Sequence, residues 1–244
     1  MFTAYFDASG TKRSEVMAIG GFVAPVDKWE QFEKAWKKLL PPSIPLFRMT
    51  NFVSSKEGWE EWKGKSARRA WFIDSLVKCI RAHTRRGFVV SMALNDYNAA
   101  NASNVFSREA GGAYQLLGIA GLGQLKEWAA KKKIDYRGIL CIFEDGDEGG
   151  GDLIARARAE GFNAIPQSKK HIRAFDACDL AAWKSKTITD DAHVKRLHRS
   201  DARSAERILK ALDQLEVIAP NAGRLSAKAL TKTVEQLRAR QNSA

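Results

Sequence analysis

The chain has 244 residues, 45% hydrophobic and 28% charged, which suits one large domain or two small ones and excludes a disordered chain. Lys and Arg outnumber Asp and Glu by 40 to 28, and a formal charge of +12 favours a polyanionic partner, with nucleic acid (DNA or RNA) first among them. No apolar run reaches the ~18 residues of a membrane span. The apolar N-terminal run lacks a basic flank and is broken by Asp7, so neither a signal peptide nor a membrane partner is expected and the expected location is the cytoplasm.

The elements then follow in order. Phe2 to Phe6 is an aromatic strand that runs into Asp7, turns at Ser9-Gly10 and returns over Val16 to Val23. Asp27 and Glu30 have the spacing of a capping box, and Trp29, Phe32, Trp36 and Leu39 share one face of the helix that follows. Pro41-Pro42 ends it. Leu46 to Trp62 reads as loop. A second helix starts at Ser66 and turns Ala70, Trp71, Ile73, Leu76, Val77 and Ile80 inward. Gly87 to Leu94 is a strand, Asn98 to Ser107 a loop, and a long helix is expected from about Arg108 to Ala130.

Gly138 to Phe143 is apolar without alternation, the pattern of a strand buried on both faces. The acidic run Glu144-Asp145-Gly146-Asp147-Glu148 ends it. Asp152 is placed to cap a short helix stopped by Gly161. Ala164-Ile165 is a last strand, closed by Pro166. A helix from Ala174 to Thr187 is followed by two basic amphipathic helices, one carrying Ile208, Leu209, Leu212 and Leu215, the other Leu230, Val234 and Leu237. The pattern is α/β with a five-stranded mixed sheet, antiparallel at first and parallel afterwards. The three cysteines, Cys79, Cys141 and Cys178, lie in apolar contexts without a Cys-x-x-Cys, so they read as core residues.

Three acidic groups stand where chemistry collects in such sheets, at the carboxyl ends of strands. Asp7 ends the first strand, Glu144, Asp145 and Asp147 follow the buried strand, and Asp176 and Asp179 share a face of a helix of core composition. A carboxylate in apolar surroundings must be paired or must bind a cation. Carboxylates from separate elements suit Mg²⁺ or Mn²⁺, which take oxygen ligands and activate water on phosphodiesters. Lys169, Lys170, His171 and Arg173 form a basic patch for phosphates. The structural alternatives are a turn role for Asp7, a solvated acidic loop at 144–148, and pairing of Asp176 and Asp179 with Arg173 or Lys184.

The chain resembles the ribonuclease H-like fold of the retroviral integrase superfamily and, within it, the family called domain of unknown function 3800. The resemblance rests on Phe6-Asp7-Ala8-Ser9-Gly10, on Phe143 to Asp147, on Asp176 to Ala182, and on Phe47-Arg48-Met49-Thr50-Asn51-Phe52. It departs from the family pattern at Ala8, where Glu is usual, at Asp176, often Gln, and at Arg48 and Asn51, which stand for His and Asp. The resemblance implies a ribonuclease H-like domain over 1–187 with helices inserted at about 27–85, and a helical extension over 188–244 packed on it. It further implies a metal-dependent nuclease or phosphoryl-transfer enzyme. Asp7, one of Glu144 or Asp145, and Asp179 would be its catalytic metal ligands, with Asp147 and Asp176 behind them. The departures motivate the alternative of a non-catalytic nucleic-acid- or protein-binding member of the same fold.

Overall fold

Strand β1 (Phe2–Ser9) lies in the interior of the sheet, between the antiparallel β2 (Val16–Pro25) and the parallel β4 (Ile139–Glu144). The computed structural model describes residues 1–10, 14–109, 111–146, 149–190, 203–217, 219 and 223–241. With β3 (Arg86–Ala93), β5 (Asn163–Gln167) and β6 (Gly223–Leu225), these strands form one six-stranded mixed sheet in the order β5-β4-β1-β2-β3-β6. β3 is antiparallel to β2, β5 is parallel to β4, and β6 is parallel to β3. The sequence pattern foretold five strands. The sixth, β6, has three residues, too few for alternation to register.

Alternation of side chains along the strands divides the core into two layers. Ala4, Phe6, Met17, Ile19, Val90, Cys141 and Phe143 face helices α6 (Ala113–Lys131) and α7 (Gly150–Ala159). Tyr5, Phe22 and Ala24 face the opposite way, toward α1 (Val26–Leu39), α3 (Ser66–His83) and α8 (Ala174–Thr189). Helix α8 lies directly on β2. A Cβ on Gly20 would stand 2.6 Å from the Cys178 carbonyl oxygen and 2.8 Å from the Ala182 nitrogen, so only glycine allows this approach.

The C-terminal region joins both layers. Ile208 and Leu212 of α9 (residues 203–213), with Leu215 after it, belong to the layer of α3 and α8. Leu230 and Val234 of α10 (Ala227–Gln241) belong to the layer of α6. Among the described residues no helix is long and apolar enough to cross a membrane.

Several local expectations are corrected. Helix α1 is capped by Pro25, not Asp27, which falls in its first turn, so no capping box forms. The stretch read as loop contains α2 (Met49–Ser54) and a short turn at Glu60–Trp62. An aromatic cluster of Phe47, Phe52, Trp59, Trp62 and Phe72 organises it. The region after β3 forms α4 (Leu94–Ala100) and α5 (Val105–Glu109). The long helix starts only at Ala113, because Gly111 and Gly112 adopt φ of +80° and +113°. Helix α7 is capped by Gly149, not Asp152, and Pro166 lies within β5, tolerated because β5 is an edge strand. Trp71, expected inward, is 65% exposed.

Candidate functional site

The parallel strands β1, β4 and β5 end side by side. Phe6 pairs with Phe143, so the next residues, Asp7 and Glu144, are neighbours across the two strands. Each falls on the α8 face, since Phe6 and Phe143 point into the opposite layer. Asp7 pairs with Gly20 across β2, and Gly20 is where α8 meets the sheet. That contact brings Asp179, one residue beyond Cys178, to the same corner. The chain leaving β5 supplies Lys169 from a short turn at Lys169–His171, after Ser168.

Lys169 is the centre of the group. Its Nζ lies 3.2 Å from Glu144 Oε1 and 3.6 Å from Asp7 Oδ2. The Asp7 side chain is 1% exposed, and its Oδ1 also accepts the Ala8 amide at 2.8 Å. Burial alone would lower the Lys169 pKa, but the carboxylates of Asp7, Glu144 and Asp179 outweigh it and raise it. Asp179 Oδ2 accepts the Met49 amide at 2.7 Å, the first amide of α2. Burial pushes the Asp179 carboxyl above the usual range; the Met49 bond, Lys169 and Arg48 pull it back, and Glu144 adds to the rise.

Thus Asp7, Glu144 and Asp179 come together around one ammonium, with the exposed Arg48 beside Asp179. Among the described residues no group of three or more His, Cys, Asp and Glu is placed to hold a metal ion. The acids are turned to Lys169 and to the Met49 amide rather than to a common metal point.

The other candidates separate from this group. Asp145 is exposed in the turn after β4, tied to β5 through its amide and the Gln167 carbonyl at 2.9 Å. Asp147 lies outside the described residues. Asp176 is buried on the far side of α8, where Oδ2 accepts Trp36 Nε1 at 2.9 Å and the Phe47 amide at 3.4 Å, and stands 3.7 Å from Arg173. Burial raises its pKa to about 7 against the pull of Arg173, Trp36 and Phe47. Asp176 therefore ties α8 to α1 and to the segment before α2.

The basic patch also divides. Lys170 and His171 are exposed, whereas Arg173 is buried. Arg173 donates to the Lys170 carbonyl at 3.0 Å and pairs with Asp176, so it is part of the scaffold and corrects its reading as a phosphate contact. Lys169 is turned inward to the acids rather than outward. Lys184, considered as a partner for Asp176 or Asp179, instead meets Asp213 at 3.1 Å and Glu216 at 3.0 Å.

Sequence reasoning missed Arg48 as a member of the site, although it marked the position as a departure. Comparison with protein-family models and with curated proteins finds no match to this chain.

Proposed function

We propose that this chain is a divalent-metal-dependent nuclease or related phosphoryl-transfer enzyme of ribonuclease H-like type, similar to domain of unknown function 3800, acting on DNA or RNA. The observation that carries the reading is the convergence of Asp7, Glu144 and Asp179, from two parallel strand ends and one helix, around a single cation, Lys169. Support for the fold reading comes from five of the strands, in the order β3-β2-β1-β4-β5, antiparallel as far as β1 and parallel beyond it.

The donor chemistry suits Mg²⁺ or Mn²⁺: the three side chains offer only carboxylate oxygens, and they already gather about positive charge. A bound divalent ion would supply activation of a water and neutralisation of charge on a phosphodiester. In this reading Asp7, Glu144 and Asp179 hold the cation. The Met49 amide fixes one oxygen of Asp179. Arg48, Lys170 and His171, exposed around the acids, attract and orient the phosphate backbone. Asp145, Asp147 and Asp176 are left out of the ligand set.

The second reading is a non-catalytic nucleic-acid- or protein-binding member of the same fold. Lys169 and Arg48 favour it, because they already compensate the acids from within the chain.

A cleavage assay at low salt separates the two. Single- and double-stranded DNA, RNA and hybrid are each offered with Mg²⁺, Mn²⁺ or EDTA, to wild type and Asp7→Asn. Metal-dependent cutting by wild type alone is expected. Cutting by Asp7→Asn at the wild-type rate rejects the ligand assignment, and binding without cutting in every lane moves the conclusion to the second reading.

A further inference from the structure

Lys169 extends from a turn that the backbone fixes: the Ser168 hydroxyl accepts the Lys170 amide at 3.4 Å, and the Lys169 carbonyl accepts the Ile172 amide at 3.3 Å. Its side chain is 18% exposed and reaches back over the ends of β1 and β4 to two carboxylates of 1% and 12% exposure. The Asp179 charge acts on it as well. The ammonium therefore stands among the oxygens that the proposed function gives to a metal ion. A divalent cation of this kind sits ~2.1 Å from its oxygen ligands. An ammonium 3.2 Å and 3.6 Å from oxygens of Glu144 and Asp7 would then be crowded against a doubly charged ion. The two cations cannot share these acids.

We propose that Lys169 is a built-in competitor for the cation site. Its ammonium holds Asp7 and Glu144 in place when the metal is away, and its four-carbon stem swings out toward solvent when a divalent ion takes the acids. The inference rests on the metal-dependent reading of the site and adds to it that loading is opposed by the chain's own lysine. This lysine sets how much Mg²⁺ or Mn²⁺ the protein needs, and it keeps a buried acid pair from standing uncompensated between loadings. Its neighbour Lys170 is exposed and takes no part in the contact, so it serves as an internal control for loss of one positive charge nearby.

The test is titration of Mn²⁺ into wild type, Lys169→Met and Lys170→Met by calorimetry, with thermal melts in EDTA and in saturating Mn²⁺. Lys169→Met should bind Mn²⁺ about tenfold more tightly or better, because a like charge within a few ångströms of the ion is removed. Lys170→Met should stay within about twofold of wild type, as screened surface charges do. In EDTA, Lys169→Met should melt below wild type, and Mn²⁺ should raise its Tm by more than it raises the wild-type Tm. Lys169→Gln keeps a hydrogen-bond donor toward the acids without the charge. It serves where the methionine variant folds poorly, and it should show the same tightening.

Wild type and Lys169→Gln binding Mn²⁺ with equal affinity would overturn the competition while leaving the metal site standing. An equal gain from Lys170→Met would overturn it too, by making the effect one of general charge. If neither wild type nor the Lys169 variants bind Mn²⁺, the metal reading falls and the competition with it.

Discussion

Asp176 offers the sharpest separation of scaffold from site. It is 1% exposed, and its pKa is raised from 3.8 to about 7, chiefly by burial. The folded protein therefore holds the protonated form better than the unfolded chain does. Its stabilising effect is complete below pH ~3.8 and is lost as the pH rises through about 7. At about 1.4 kcal/mol per tenfold change in proton affinity, the gap corresponds to roughly 4 kcal/mol. Asp176→Asn removes the titration while keeping an oxygen for Trp36 Nε1 and the Phe47 amide. The variant should match wild type near pH 4 and exceed it at pH 8, by an amount on the order of 2–4 kcal/mol. Urea unfolding at pH 4, 6 and 8 measures the difference between the two proteins, in which other titrating groups largely cancel. A variant less stable than wild type at pH 8 would refute the reasoning, since the ionised pair with Arg173 would then be a net gain despite its burial. The same variant should keep any Mn²⁺ binding, because the Asp176 oxygen that accepts hydrogen bonds is committed to Trp36 and Phe47.

Other perturbations test how the scaffold builds the corner. Gly20→Val should cost about 3 kcal/mol or more in denaturant unfolding, because its side chain meets the backbone of Cys178 and Ala182; unchanged stability would show that α8 can lift from β2 without penalty. Arg69→Met should lose roughly 3 kcal/mol, since the buried guanidinium donates to the Phe52 and Val53 carbonyls at 2.7 and 3.0 Å and lies over the Phe52 ring. Because α2 carries the Met49 amide to Asp179, any Mn²⁺ affinity should weaken with it, and a variant that keeps both stability and affinity contradicts this. Trp71→Gln should change stability by no more than about 0.5 kcal/mol, as the ring is 65% exposed; a loss above about 2 kcal/mol would mean that the ring is covered.

What the sequence disclosed, and what it hid, follows from where the information resides. The apolar run before Glu144 and the aromatic run before Asp7 are strong local signals, and the two strands are adjacent and parallel, so their terminal acids meet. The helical spacing of Asp176 and Asp179 correctly put both on α8, but spacing could not say which one faces the strand ends. That choice depends on Gly20, which sets how α8 seats on β2, and on Trp36 and Phe47, far away in the chain, which claim Asp176. The destination of Lys169 was hidden for the same reason. In the sequence it is one of a run of basic residues; in the fold it is the one that turns inward, because β5 ends beside β1 and β4. The short helix α2 was missed because its six residues hold too few turns for a period to show, and it is fixed by an aromatic cluster and Arg69 rather than by its own propensity.

The charge balance at the corner is what sets the two functional readings apart. Asp7, Glu144 and Asp179 bring three negative charges when all are ionised, and Lys169 and Arg48 bring two positive ones. A surface meant only to bind has no need to bury acids at the end of its central strand, and replacing them would remove a desolvation penalty of several kcal/mol per ion. The pressure on the corner is visible in Asp179, whose carboxyl is pushed toward holding a proton even with the Met49 amide, Lys169 and Arg48 opposing. A divalent cation relieves that pressure in a way that one ammonium does not, since it carries twice the charge and accepts oxygens from several directions at once. If the corner is a cation site, adding Mn²⁺ at constant pH should drive a proton off the protein, because the metal competes with the proton that Asp179 retains. The release is read as a dependence of the calorimetric heat on the ionisation enthalpy of the buffer. Binding heats identical across buffers would show that no proton leaves, and Asp179 would then be a structural acid that fixes α2 and nothing more.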